Sequence, residues 1–267
     1  MSEQSTRHLL FTLAAPLASF GTIAVGERRP TWDRPSKSQI IGLIAGCLGI
    51  ERAEEARQRE LAASLGFAVR VDHPGQLATD YHTAQAAKDV EIRRRIKTGH
   101  TVNTRAEVLA CDDLKTVLSR REFRIGSLYT VAVWKLTDAG PPLDAVMAAL
   151  NAPVFAPFAG RKSNPLALPF GPHLIDASHI EAAFADFDAQ EPPTIKELKS
   201  SAWTRAQEAA PIYVDAAAIP AAEREARVSR LEERRDMPQS RAKWRFDLRS
   251  EALLRATSSI LAKGDAA

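Results

Sequence analysis

Residues 7–50, RHLLFTLAAPLASFGTIAVGERRPTWDRPSKSQIIGLIAGCLGI, are the stretch on which the fold turns. Arg7 to Leu13 is a short apolar run of the kind that forms a strand, and Ala14-Ala15-Pro16 is expected to end it. Phe20 to Pro35 reads as a loop, broken by Gly21, Gly26, Pro30 and Pro35. Ser36 or Ser38 then caps a helix, because a serine hydroxyl accepts from a free first-turn N–H. Ile40, Leu43, Ile44, Cys47 and Leu48 recur at helical spacing, and Gly49 is a natural stop. Gly42 and Gly46, four apart, are expected to let this helix approach a sheet closely.

Outward from this block, Phe67 to Val71 reads as a second strand. Gln76 to Glu122 is polar with little periodicity. Ser127 to Leu136 (SLYTVAVWKL) alternates in the strand sense and is rich in β-formers. Pro141-Pro142 opens a helix over Leu143, Val146, Met147 and Leu150. Strand, helix, strand, long excursion, strand, helix suits an α+β sandwich, with helices on one face of a mainly antiparallel sheet. A ferredoxin-like or RNA-recognition-motif core is its simplest form. Farther on, residues 151–172 are Pro-rich and loop-like, His179 to Asp188 reads as a short helix, and Gln190 to Thr194 as a linker. Ala221 to Asp236 is expected to be a solvated or fraying helix, Lys243 to Leu248 a late strand, and Ser250 to Leu261 an amphipathic helix.

Composition bounds the function. With 267 residues, 45% hydrophobic and 26% charged, the chain is an ordinary globular protein of one large domain or one domain with insertions. Its two cysteines, Cys47 and Cys111, offer neither a disulfide framework nor zinc spacing, which fits a reducing cytoplasm. The first residues lack a charged-then-apolar signal pattern. The longest apolar stretch, Ile40 to Ile50, is too short to span a bilayer. A cytoplasmic protein with no membrane partner is expected. The six histidines form no metal spacing, and no phosphate-binding Gly-rich loop, GxGxxG or GxSxG elbow is present, so no metal or cofactor is expected.

Net charge is only +3, so any nucleic-acid site must come from local clustering. Lys88 to Arg124 holds ten Lys and Arg against six Asp and Glu, and the rest of the chain is slightly acidic. Its densest part, Arg93-Arg94-Arg95, can contact phosphates or form a solvated helical face. Phe158 with Arg161-Lys162-Ser163, in a loop with Phe155 and Gly160, can stack a base and hold a phosphate, or simply anchor the loop. Arg29 and Thr31, followed by Lys37 and Ser38 at the helix start, suit a phosphate site or ordinary capping. Tyr81-His82 beside Asp80 is the one pairing suggestive of acid–base chemistry, although a lone His is more often structural.

Several segments, in order, resemble the CasD-type family of type I-E CRISPR Cascade subunits, within the RAMP superfamily. They are Leu13-x-Ala15-Pro16 with Phe20-Gly21, where the family usually has Trp at Phe20, then Arg29-Pro30-Thr31 and Pro35-Ser36-Lys37-Ser38. Gly46-Cys47-Leu48-Gly49-Ile50, Asp80-Tyr81-His82-Thr83, Arg121-Glu122-Phe123 and Pro157-Phe158 with Gly160-Arg161-Lys162-Ser163 follow. The resemblance implies a modified RNA-recognition-motif core over residues 1–166 and 235–249, with a basic thumb at about 76–124. Residues 167–234 stay unassigned, and 250–267 form a C-terminal helix and tail.

It further implies a non-catalytic subunit that grips the 5′ handle of the CRISPR RNA. The partners would be the adjacent backbone and large subunits and, through the complex, target DNA. In relatives an Arg and a Tyr sandwich a handle base; by motif these fall at Arg121 and Phe158, where Phe keeps the stacking face and loses the hydroxyl. The other reading is a metal-independent endoribonuclease, as in type I-C relatives, with Tyr81, His82 and Lys88 as its groups.

Overall fold

In the computed structural model, which describes residues 5–22, 24, 26–202, 210–241 and 243–255, the opening block folds as strand, loop and helix. Strand β1 is Thr6–Ala18, a two-residue strand β2 is Arg28–Arg29, and helix α1 is Lys37–Cys47. Strand β1 does not end at Pro16. Its ladder to the strand on one side stops at Leu10, so the proline's missing N–H interrupts nothing there. Helix α1 starts with a full capping box, in which Ser36 N–H donates to Gln39 Oε1 at 2.8 Å and Gln39 N–H to Ser36 Oγ at 3.4 Å. It ends as Gly49 enters the left-handed region at φ 72°.

Then come α2 (Glu55–Ser64), β3 (Leu65–His73), β4 (Gln76–Ala87), α3 (Asp89–Lys97), α4 (Arg105–Leu109) and β5 (Leu114–Lys135). The aperiodic excursion is thus an antiparallel ribbon of β4 and the first half of β5, tipped by two helices. Its alternation was hidden because both faces of the ribbon are polar. Gly75 makes the turn from β3 into β4 at φ 72°; a Cβ there would meet Ile125 O at 2.8 Å.

Helix α5 (Leu143–Asn151), β6 (His173–Ala177), α6 (Ile180–Gln190) and α7 (Pro193–Ala202) follow, then β7 (Ile212–Asp215), α8 (Arg224–Arg227), β8 (Val228–Ser240) and β9 (Arg245–Leu254). The strands run β6-β1-β5-β3-β7-β9-β8, and all neighbours on this path are antiparallel. The first four, with α1 and α5 as crossovers, have the order of a ferredoxin-like core; β7, β9 and β8 extend the sheet beyond β3.

Further expectations need correction. Residues 167–234 are no single insertion: they supply β6, the outer strand of the core, as well as β7 and most of β8. The charged run 221–236 is helical only to Arg227 and then forms β8. Residues 250–254 belong to β9, Arg255 follows it in irregular structure, and the rest of the expected C-terminal helix lies outside the described residues. Helices cover both faces: Phe11, Phe67, Val69 and Val131 pack with Ile40, Ile44, Leu61 and Val146, whereas Leu10, Ala132 and Ala252 pack with Ala183, Phe184 and Phe187 of α6.

The extension is tied to α1 through buried charge. Lys37 Nζ donates to Asp215 Oδ2 at 2.9 Å, and Arg249 pairs with Asp215, Asp236 and Glu251 at 2.7–2.8 Å. Arg34 and Arg234 also reach Glu251, at 2.6 and 3.2 Å. Burial alone would raise the Glu251 pKa, but the three guanidinium groups hold it below the usual carboxylate range. Gly42 serves the same junction: a Cβ there would lie 1.9 Å from Arg241 Nη2, so the close approach is to a side chain and not to the sheet.

Candidate nucleic-acid interface

Strand alternation sorts the side chains at the base of the ribbon. Arg29 of β2, Arg121 of β5 and Asp80 of β4 lie abreast and so share one face. Ser119, Phe123 and His82 join it, two residues along their strands. Arg28, Arg120, Tyr81 and Glu122 occupy the other face. Arg121 Nε donates to Ser119 Oγ at 3.3 Å, and His82 Nε2 pairs with Asp80. Tyr81 and His82 therefore point to opposite sides of an exposed ribbon.

The Phe158–Ser163 loop is pinned onto the end of β1. Ser19 N–H donates to Ala159 O at 3.1 Å, and Asn164 N–H to Arg161 O at 2.9 Å. Gly160 sits at φ 83°, and a Cβ there would come 1.9 Å from Ser19 O, so only glycine allows this approach. The docking lays the Arg161 guanidinium 4.5 Å from the Phe123 ring centroid. Partial burial and the charges of Arg121 and Arg29 lower the Arg161 pKa, with Asp80 opposing. Its Nη1 is buried and has no hydrogen-bond partner among the described residues. Lys162, Ser163 and Phe158 are exposed alongside it.

Other candidates fall elsewhere. Thr31 is buried and fixes the loop after β2: its N–H donates to Glu122 Oε2 at 3.1 Å, and its Oγ1 accepts from Phe20 N–H at 2.7 Å. Lys37 and Ser38 are buried too. The anion at the start of α1 is the chain's own Asp236, which accepts from Lys37 N–H at 3.0 Å, so these two residues serve the core. Arg93, Arg94 and Arg95 lie at the ribbon tip, about 23 Å of strand beyond Asp80. There Arg94 lies 3.5 Å from Glu91 and 3.6 Å from Asp112, and Arg95 donates to Ala110 O at 2.7 Å.

Sequence reasoning missed how Phe123 and Arg161 come together. The alternation of Ser119, Arg121 and Phe123 was a usable signal for one half, but the loop's docking on Ser19 has no local one. Among the described residues, no three His, Cys, Asp or Glu gather to hold a metal ion, and no helix is long and apolar enough to cross a membrane.

The family model described as CRISPR-associated protein (Cas_Cas5) matches residues 8–250. The chain is 29% identical over 189 residues to the CRISPR system Cascade subunit CasD of Escherichia coli (strain K12), covering 68% of this chain and 77% of that protein. Two solved structures share the fold. One is a chain of a CRISPR RNA-guided surveillance complex, with TM-score 0.55 and 20% identity over 94% of this chain and 92% of that one. The other, titled crystal structure of Cas protein, has TM-score 0.52 and 22% identity over 92% of this chain and 95% of that one. With its ferredoxin-like core, its projecting basic ribbon and a family match that spans nearly all of the described chain, this protein belongs to the Cas5 family of CRISPR-associated proteins.

Proposed function

We propose that this chain is a non-catalytic subunit of a CRISPR RNA-guided Cascade complex, and that it holds the 5′ handle of the CRISPR RNA on the Arg29–Arg121–Arg161 face. The observation that carries this reading is Arg161. Its guanidinium is stacked on Phe123, flanked by two like charges, and keeps a buried nitrogen without an acceptor among the described residues. A phosphate at the partly exposed guanidinium would offset that repulsion. Phe158, 37% exposed, offers a ring to an unpaired base. The basic ribbon reaches outward to the adjacent backbone subunit and the guide, and the complex as a whole engages the large subunit and target DNA.

The nuclease reading finds less support. Tyr81 and His82 face opposite ways, and Lys88, about 20 Å of strand from His82, pairs with Asp113 at 2.7 Å. The test is metal-free incubation of the chain with repeat-derived RNA, read by anisotropy and by gel. Tight binding without cleavage is expected, with a loss of about tenfold or more in Arg121→Ala/Phe158→Ala. Wild-type binding in that folded double variant would refute the interface. Specific cleavage abolished by His82→Ala would refute the non-catalytic reading.

A further inference from the structure

The connection between β8 and β9 runs into RAKWRF, residues 241–246, in which cations and aromatics interleave. Two further arginines approach it, Arg52 ahead of α2 and Arg59 within it. Arg52 Nε donates to Arg241 O at 3.1 Å, and its guanidinium lies 4.2 Å from the Trp244 ring centroid. The Arg241 guanidinium is 6.0 Å from the same ring and donates to Ser38 O at 2.9 Å. Trp244 takes φ 49°, in the left-handed region that non-glycine residues seldom occupy, and remains 60% exposed. The Phe246 ring lies 6.2 Å away. An open cleft of about 470 Å³ adjoins the tip, lined by Glu55, Arg59, Met237, Lys243 and Arg245 among others.

Three cations, Arg59, Lys243 and Arg245, line the cleft with one acid, Glu55. Among the described residues, no ion pair joins Arg52, Arg59, Arg241, Lys243 or Arg245 to a carboxylate. Glu55, the acid lining the cleft, accepts from Ser240 Oγ at 2.6 Å. Burial and the Arg52 charge both lower the Arg241 pKa. Gathering cations around a held-out indole costs free energy in the free chain, which a polyanion would offset. An acidic peptide would satisfy the cations and leave the indole without a role. In a single nucleic-acid strand, phosphates alternate with bases that need a flat apolar face.

We propose that the β8–β9 tip is a second nucleic-acid contact, with phosphates of a single strand on Arg59, Lys243 and Arg245 and a base against Trp244. It shares no residue with the Arg121 face and does not rest on the handle reading. The test is anisotropy of the full chain with short fluorescent oligouridylate and oligothymidylate over a salt series. Lys243→Glu/Arg245→Glu is expected to weaken binding at least about tenfold, and to reduce the salt slope by about 0.7 for each phosphate no longer neutralised. Trp244→Ala should cost about tenfold, and Trp244→Phe should keep most of the affinity. Equal melting temperatures would show that all variants fold. The stronger-bound oligomer identifies the strand as RNA or DNA. Wild-type affinity in the charge-reversal variant overturns the proposal. So does polyglutamate competition that matches the oligonucleotides while Trp244→Ala has no effect, since that assigns the tip to an acidic protein segment. Arg121→Ala/Arg161→Ala, measured in parallel with handle RNA, reports the other face separately.

Discussion

Single residues of the same type have opposite fates here, and burial decides which. Lys37 and Arg161 are both cations next to expected phosphate sites. Lys37 is held inside by Asp215, whereas Arg161 keeps a nitrogen free of any acceptor among the described residues. Lys37→Met is expected to destabilise the fold by about 3 kcal/mol, because it strips one partner from a buried carboxylate that retains Arg249. Denaturant unfolding would check this, and handle affinity of the folded variant should be unchanged. A lost affinity at unchanged stability would return Lys37 to the phosphate site. The sequence placed both residues beside helix or loop features suited to anions. It could not say that Asp236, 199 residues from Lys37, already fills the first of them.

Among elements, β1, β3, the second half of β5 and helices α1 and α5 were legible, because each carries an apolar pattern with one period. Two polar elements were not. The ribbon of β4 and β5 has both faces in water along most of its length, so it shows no alternation of apolar and polar residues. Strand β8 alternates among its charged residues instead: Arg234 and Asp236 point inward and are buried, and Glu233 and Arg235 stay outside. A hydropathy reading sees only charge there and reports a solvated helix. The ribbon tip gives this scale its prediction. Replacing Arg93, Arg94 and Arg95 by Ala should leave the melting temperature unchanged, since all three sit on a peripheral helix. If two of them contact the guide, the slope of log affinity against log salt should fall by about 1.4. An unchanged slope would confine these arginines to a solvated face.

At the scale of the whole molecule, a ferredoxin-like core is extended at its β3 edge by β7, β9 and β8, and buried ion pairs join the extension to α1. Glu251 is the hub, reached by Arg34, Arg234 and Arg249. Its folded-state pKa is held below the unfolded value, so its stabilising contribution is complete above the ordinary carboxylate range and is lost as pH falls through the lowered value. Stability measured by denaturant titration should therefore decline below about pH 4.3, and Glu251→Gln should remove part of that decline. The same variant should lower stability near neutral pH by about 3–5 kcal/mol, because three guanidinium groups lose their shared anion. A pH profile identical in the variant and the wild type would show that other carboxylates govern acid unfolding. The amino-acid sequence by itself determined β1, β3 and the core half of β5, the capped helix α1, the absence of familiar metal and nucleotide motifs, and the family resemblance, because these rest on local period, local capping and ordered short motifs. Only the tertiary structure decided which cations face solvent, that β6 completes the core, that β8 is a strand, and that Arg29, Arg121 and Arg161 meet on one face. Those outcomes depend on partners tens to hundreds of residues apart, whose burial and pairing energies no local pattern records.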